Sequence, residues 1–183
     1  MKKSFGFLLF VLCLNFSFAQ KVEFQTLLKD KISIRALQIF DGKVWYAGTD
    51  SKFGYVSLKD SADKKQIKLA DKNLQFRTLA QNNTDFYAIN IESPAYFFKI
   101  NKKSLKTEIV YTDTLKTAFY DALHFVDNNF AIALSDPNES CATLAYTRTG
   151  GEIWKKDACS FHLSFFKGEA SFAASNTNIA SKN

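Results

Sequence analysis

From residue 34 onward the chain alternates short apolar segments with polar turns. The segments are rich in aromatic and β-branched residues, and turn signals such as Asp41-Gly42, Asn82-Asn83 and Asn128-Asn129 separate them. No stretch keeps a helical apolar period long enough to form a helix, except residues 26–37, where Lys29-Asp30-Lys31 interrupts it. The pattern therefore predicts an all-β protein.

The apolar segments recur with a nearly constant period. Leu37, Leu79 and Leu123 end three similar motifs and are 42 and then 44 residues apart. A repeat of this length built from four short strands is typical of a β-propeller, in which each unit is one blade. We predict blades over about 34–74, 75–117 and 118–159, with an incomplete fourth blade over 160–183. A second landmark keeps a similar spacing of 41 and 44 residues: Trp45-Tyr46-Ala47-Gly48, Phe86-Tyr87-Ala88-Ile89 and Phe130-Ala131-Ile132-Ala133.

The number of predicted blades is smaller than a closed propeller needs. Propellers close with four to eight complete blades. We therefore expect the 183 residues to be the N-terminal part of a longer propeller. The alternative is that several short chains assemble into one ring.

The first 19 residues are predicted to be a secretory signal peptide. Lys2 and Lys3 precede an apolar run over residues 5–14, and Ser17-Phe18-Ala19 offers a small-x-small cleavage site. The predicted propeller domain then covers residues 20–183. No later stretch is long and apolar enough to span a bilayer. We therefore expect a product that is exported to the periplasm or the extracellular space and carries no membrane span.

The charge of the chain does not indicate a nucleic-acid partner. Without Lys2 and Lys3 the formal net charge falls from +6 to +4, and it is spread along the chain. The lysines concentrate in residues 61–68 and 100–106, which we interpret as solvated turns.

Residues 146–154, with the sequence YTRTGGEIW, resemble the Asp-box turn of sialidase-like BNR repeats. Thr147, Gly151 and Trp154 are in register with that motif, whereas Thr149 and Ile153 replace its aspartate and threonine. The order of SIRAL, VWYAGT, FRTLA, FYDALHF and GEASFAASNTNIA is similar to exported bacterial propellers of the photosystem II stability/assembly-factor-like group. Relatives in that group are often labelled oxidoreductases. The sequence contains no dinucleotide glycine motif, CxxC pair or haem signature, so we expect no cofactor.

The candidate ligand-binding residues lie where the inner strands of the blades begin. In a meander blade, the start of the first strand and the end of the second strand share one face. Arginine binds carboxylates with a bidentate fork, so the expected partner is a protein, a peptide or a small polar ligand. Alternatively, the arginines pair with the acidic residues and only satisfy a polar channel. The residues predicted at this channel mouth are Arg35, Arg77, Tyr120, Asp121, Asp136 and Glu169.

These observations favour an exported binding or assembly scaffold without catalytic residues. The alternative is an enzyme, either a glycoside hydrolase or the oxidoreductase of the relatives' label, with its decisive residues in missing blades. Sialidase-like hydrolysis uses an arginine cluster with a tyrosine nucleophile, but Asp121 stands where a third arginine would be in register. His124 and His162 are interpreted as strand residues beside phenylalanines, so no metal site is expected.

Two cysteines remain after the signal peptide. Cys141 and Cys159 are each nine residues from Gly150, at the tip of the predicted hairpin. Opposed cysteines in an exported protein indicate a disulfide. The alternative is two buried free thiols.

Overall fold

The strands form three separate antiparallel sheets. The computed structural model describes residues 22–138, 141–158, 165–166, 168–172 and 176–182. In these ranges each sheet has four strands in chain order. Sheet 1 contains β1 (Ile34–Phe40), β2 (Lys43–Gly48), β3 (Lys52–Ser57) and β4 (Lys64–Lys68). Sheet 2 contains β5 (Ala80–Gln81), β6 (Asp85–Ile89), β7 (Ala95–Asn101) and β8 (Thr107–Asp113). Sheet 3 contains β9 (Tyr120–Phe125), β10 (Ala131–Asn138), β11 (Cys141–Thr147) and β12 (Trp154–Ala158).

The turn between β1 and β2 shows how the local sequence sets the register of a sheet. Asp41 and Gly42 both have positive φ, 51° and 65°. A two-residue turn with both residues in the left-handed region matches the twist of the flanking strands, and Asp-Gly is a preferred sequence for it. The hairpin therefore closes with Phe40 opposite Lys43.

The second strand of sheet 2, β6, is buried on both faces because the sheet lies between the other two sheets. All five residues of β6 are buried. Phe86 and Ala88 pack into a cluster shared with sheet 1, whereas Tyr87 and Ile89 pack into a cluster shared with sheet 3. Successive side chains of a strand point to opposite faces, so one short strand supplies both interfaces.

The first strands of neighbouring sheets are connected through side-chain amides. Gln38 Nε2 donates to the carbonyl oxygen of Leu79 at 2.9 Å. Gln81 Nε2 donates to Gln38 Oε1, also at 2.9 Å. β5 in turn contacts β9. The first strands thus lie side by side on the inner edge, as expected for blades around an axis, and the predicted all-β class with three four-stranded units is confirmed.

The predicted strand FRTLA is interrupted. Only Ala80 and Gln81 belong to β5, and Phe76 forms an isolated bridge with Asn90. Between them, the hydroxyl of Thr78 accepts the Ile89 N–H at 2.9 Å and donates to the Ile89 carbonyl at 3.2 Å. A buried threonine side chain therefore replaces one backbone pair, which satisfies the polar groups of β6 at that point.

Several predictions concern residues beyond these ranges or outside the sheets. The predicted signal peptide, Cys159 and the side chain of Cys141 lie outside the described residues. The described residues between 165 and 182, which belong to the predicted fourth blade, are not in strands. Within the described ranges, no helix is long and apolar enough to cross a membrane.

Candidate functional site

The channel mouth is the surface where the chain enters the first strand of each sheet. Arg35 lies in β1 at a bulge between Ile34 and Ala36, and its side chain is exposed. In the described part of the chain Arg35 makes no hydrogen bond or ion pair, so its guanidinium is free to meet solvent or a partner. Arg77, which precedes β5, is half-buried.

Asp121 is the most unusual residue of the predicted set. It lies in β9 and its side chain is 0% exposed. The partner of its carboxyl group is the Asp136 carboxyl group, since no N–H donor among the described residues reaches either oxygen. Burial, together with the neighbouring Asp136 carboxyl, raises the pKa of Asp121 to about 8, whereas the positive charge of Arg77 opposes the shift. Asp121 is therefore largely protonated at neutral pH, and it faces Asp136 as a carboxylic acid facing a carboxylate.

Asp136 completes this acid pair, the name used below for Asp121 and Asp136. It lies in β10 and is half-buried, and its backbone N–H donates to the carbonyl of Phe119 at 2.9 Å. Its Oδ1 accepts the backbone N–H of Ser171 at 2.8 Å. The structure thus brings Arg77, Asp121 and Asp136 together, as the sequence predicted.

Tyr120 is not at the channel mouth, which corrects the prediction. Its side chain is 0% exposed, and its ring packs against Phe97 with centroids 5.0 Å apart. Its hydroxyl donates to Asp113 Oδ2 at 3.0 Å. Burial and the adjacent Asp113 carboxylate raise the pKa of Tyr120 above its ordinary value. The reason is the alternation of a strand, because Tyr120 and Asp121 are consecutive and point to opposite faces of sheet 3.

Glu169 is used in a local turn. Its Oε2 accepts the Phe166 N–H at 2.7 Å, while its own N–H donates to the Phe166 carbonyl at 3.0 Å. The side chain is exposed. The structure therefore shows Glu169 closing a turn and gives it no bond to Arg35 or Arg77, so the alternative in which the arginines pair with Glu169 is not observed.

Asn176 is an inner-edge residue whose hydrogen-bond partners the sequence did not reveal. Its Nδ2 donates to the carbonyl oxygens of Leu79 at 2.9 Å and of Leu123 at 3.1 Å. Its Oδ1 accepts the Leu123 N–H at 2.7 Å. One side chain thus connects sheet 2 to sheet 3. An asparagine in a polar run gives no sequence signal for contacts with residues so distant along the chain.

A pocket of about 480 Å³ lies at the other end of the first strands, where Phe40, Gln81 and Phe125 line it. Its cation, Lys102, is already engaged. Lys102 Nζ donates to Gln81 Oε1 at 2.7 Å and lies 3.8 Å from the centroid of the Phe40 ring. The pocket is therefore less suited to an anionic ligand than the presence of a lysine suggests.

The described residues hold no cluster of three or more histidine, cysteine or acidic side chains arranged to bind a metal. His124 Nε2 lies 2.9 Å from the Ser181 hydroxyl. His162 lies outside the described residues. His124 is thus a hydrogen-bonded strand residue.

Comparisons with known proteins show the fold. No protein-family model matches the chain, and no curated protein matches it. The crystal structure of RRP9 WD40 repeats is similar with a TM-score of 0.57 and 13% identity, over 73% of this chain and 42% of that chain. The structure of U3-55K is similar with a TM-score of 0.58 and 12% identity, over 80% of this chain and 43% of that chain.

This chain therefore spans less than half the length of these two solved proteins. At such low identity the likeness establishes architecture alone. The three sheets are arranged as blades of a WD40-like β-propeller, which confirms the predicted fold class.

Proposed function

We propose that the chain is a propeller-type binding scaffold that recognises a protein, a peptide or a polar ligand at its channel mouth. The observation that carries this proposal is the acid pair beside Arg77, in which a carboxyl group is fully buried next to a second carboxyl group and its pKa is raised to about 8. Burying an acidic group beside a second acidic group is costly to the fold. A carboxyl group whose pKa is strongly shifted by burial and by specific charged neighbours is a candidate for a functional site.

The position of Tyr120 supports a binding role over glycoside hydrolysis. The hydrolytic alternative would need a tyrosine nucleophile at the mouth. Tyr120 instead donates its hydroxyl to Asp113 inside the core, and its raised pKa disfavours the phenolate. No other tyrosine was predicted to reach Arg77, so the scaffold is the better supported function.

Two further parts of the proposal rest on the sequence. The lysine-flanked apolar leader supports export to the periplasm or the extracellular space. The motif order and the turn over residues 146–154 support a relationship with the BNR-type, photosystem II stability/assembly-factor-like propellers. The likeness to WD40 propellers supports a protein partner, because such repeats present loops of several blades on one face.

A pull-down comparison tests the scaffold. The wild-type protein, Arg77→Ala and Arg35→Ala are immobilised and exposed to an extract of the source cells' envelope. Arg148→Ala is the matched control, because Arg148 lies in the distant turn of sheet 3 over the Phe130 ring. We expect Arg77→Ala to lose a bound component that Arg148→Ala retains, since a charge-assisted bond contributes about 1.5 to 3 kcal/mol. Identical retention by all variants would contradict binding at the channel mouth.

A further inference from the structure

Sheet 1 has an outward face, the face turned away from sheet 2, that carries exposed aliphatic side chains. Leu37 is 56% exposed and Ile39 is 67% exposed, and Val44, which pairs with Ile39, is half-buried. Their neighbours in β1, Gln38 and Phe40, point the other way, toward sheet 2. In the described part of the chain no other sheet covers this outward face.

The repeat shows which kind of surface covers the equivalent residues. Leu37, Leu79 and Leu123 occupy the same position in the three sheets. Leu79 is 0% exposed and packs into the cluster shared with sheet 1, and Leu123 is 1% exposed in the cluster shared with sheet 2. Each is therefore buried against the preceding sheet. Continuity with these two interfaces indicates that the partner of Leu37 is another sheet of the same repeat.

Sheet 3 carries the matching outward face, on its side away from sheet 2. Ala131 and Ala133 of β10 pack into the cluster shared with sheet 2. Because successive side chains of a strand alternate, Ile132 and Leu134 point away from sheet 2, and both are half-buried. The two ends of the described row of sheets thus present aliphatic faces of opposite position in the repeat.

One contact inside the chain predicts how these faces meet. Tyr87 of sheet 2 packs on Phe125 of sheet 3 with ring centroids 4.8 Å apart. Ile132 is the equivalent of Tyr87, because each pairs with the residue that follows a repeat leucine. Ile39 is the equivalent of Phe125, because each comes two residues after a repeat leucine. The repeat therefore places Ile132 of one sheet 3 against Ile39 of another sheet 1.

The outer part of the sheet 1 face is already covered by the residues that precede β1. Tyr46 is buried there, and its hydroxyl donates to Gln66 Oε1 at 3.0 Å. A Cβ at Gly48 would lie 2.7 Å from the Ile32 side chain. The open part is thus the aliphatic strip of Leu37, Ile39 and Val44. Packing it on Ile132 would bury apolar surface without leaving a polar group unpaired.

We propose that two copies of this chain associate head to tail, with the outward face of sheet 1 in each copy packed on the outward face of sheet 3 in the other. Three sheets from each copy make six, and propellers close with four to eight blades. A twofold axis along the channel makes the two junctions identical, so the assembly is closed. Pairing sheet 1 with sheet 1 would instead leave both sheet 3 faces open.

The test measures the mass of the full chain by sedimentation equilibrium over a wide range of concentrations. We expect twice the mass of one chain. Ile39→Asp should weaken the association by about 100-fold or more, because both junctions receive a buried charge. Ile132→Lys should weaken it in the same way from the opposite face. Ile109→Asp is the matched control, because Ile109 is 51% exposed on the outer strand of sheet 2.

Mixing the two variants tests which faces meet. In a mixed pair of Ile39→Asp and Ile132→Lys, one junction is unchanged and the other places aspartate opposite lysine. We expect an equimolar mixture to recover the dimer that neither variant forms alone, as measured by light scattering and by co-purification of one tagged copy. Circular dichroism of each variant verifies that it is folded, and recovery of the dimer on mixing requires both variants to be folded.

Three results would overturn the proposal. The mass of a single chain at every concentration would exclude the second copy and leave the sheet 1 face to a different partner. A dimer that Ile39→Asp weakens no more than Ile109→Asp would lie on another surface. Folded variants whose mixture stays monomeric would contradict the pairing of sheet 1 with sheet 3. The pull-down with Arg77→Ala tests the scaffold independently of these outcomes.

Discussion

The two interfaces between neighbouring sheets are built from similar aromatic residues but are held in different ways. Between sheets 1 and 2, Trp45 and Phe86 pack with ring centroids 4.6 Å apart, and Phe53 lies 5.7 Å from each of them. Between sheets 2 and 3, Phe97 packs on Trp154 with centroids 4.9 Å apart. Tyr87 and Tyr120 also lie in this interface, and the hydroxyl of each has a hydrogen-bond partner in the facing sheet or at its edge.

The polar contacts of the second interface fix where its aromatic rings lie. Tyr87 donates its hydroxyl to the carbonyl of Gly150 at 2.5 Å, and Trp154 Nε1 donates to the Gly151 carbonyl at 2.9 Å. Apolar contacts favour burial without specifying an orientation, whereas hydrogen bonds do both. Gln38 and Gln81 also bond across the first boundary, but at the edge of the sheets and not to these rings. The aromatic rings of the first interface should therefore respond mainly to lost volume, and those of the second to a change in their orientation.

Loss of volume should be most harmful at the first interface. Phe86→Ala removes a fully buried ring that contacts Phe40, Trp45 and Phe53. We expect the free energy of unfolding to fall by about 4 kcal/mol. Urea denaturation measures the change, and Ile109→Ala, at a side chain that is 51% exposed, is the control. Equal effects of the two substitutions would contradict a tightly packed first interface.

A methyl group added at Gly151 should show how closely the residues of the second interface pack. Gly151 has φ +91°, and a Cβ placed there would lie 2.4 Å from ring carbons of Tyr87. We expect Gly151→Ala to lower the free energy of unfolding by about 3 kcal/mol, through overpacking and backbone strain.

The control for Gly151 is Gly42→Ala in the β1–β2 turn. Gly42 also has a positive φ, +65°, but nothing lies within 4 Å of the added carbon. Its cost should be backbone strain alone, about 1 kcal/mol. If both alanine variants lost the same stability by thermal and urea denaturation, the close approach of Tyr87 to Gly151 would not constrain the interface.

Acid should weaken the second interface. Burial by itself would raise the pKa of Asp113, but bonds from Lys156, the Leu115 N–H and Tyr120 outweigh it and leave the pKa lowered. Because the folded pKa is depressed, this stabilisation is present above the unfolded value of about 3.9. It is lost as pH falls through the folded pKa.

The variant for this prediction is Asp113→Asn. We expect it to cost about 2 kcal/mol near pH 6, because it removes the charge-assisted bond from Lys156 at 2.6 Å. The difference from wild type should shrink below pH 4, as followed by urea titrations at several pH values. A difference that stays constant down to pH 2.5 would show that the carboxylate charge does not contribute.

The smallest expected effect concerns one hydroxyl. Tyr120→Phe removes the donor to Asp113 but keeps the ring against Phe97. We expect a loss of about 1 kcal/mol, since Lys156 and the Leu115 N–H still satisfy the carboxylate. Phe97→Leu, measured in the same denaturation series, gives the contribution of the ring contact to stability separately from that of the Tyr120 hydroxyl. A larger loss from Tyr120→Phe than from Phe97→Leu would make the hydroxyl the dominant contact.

The fold could be predicted from the sequence because its determinants are local. Alternating apolar residues, the period between Leu37, Leu79 and Leu123, and turns such as Asp41-Gly42 all act over a few residues. The interruption of β5 could not be predicted in this way. It depends on Thr78 hydrogen-bonding to Ile89, 11 residues further along the chain.

The candidate site was predictable only in part. Repeat position placed Arg77 and Asp121 together correctly, since equivalent residues of neighbouring blades share one end of the channel. The repeat period does not show, however, that Tyr120 and Asp121 point to opposite faces of the sheet, because they are consecutive residues of one strand. Asn176 meets Leu79 across 97 residues of chain, and such contacts follow from tertiary packing. The predicted disulfide and signal peptide remain predictions.

The amide bridges between first strands have a consequence for how such a protein evolves. Among the described residues no strand of one sheet pairs with a strand of another; Gln38, Gln81 and Asn176 make side-chain bonds at those boundaries. A gene duplication or deletion that begins and ends between units would therefore add or remove a whole sheet without leaving a half-paired strand. Selection then has to adjust only the side chains on the two faces that meet, which allows chains with different numbers of units to descend from one repeat.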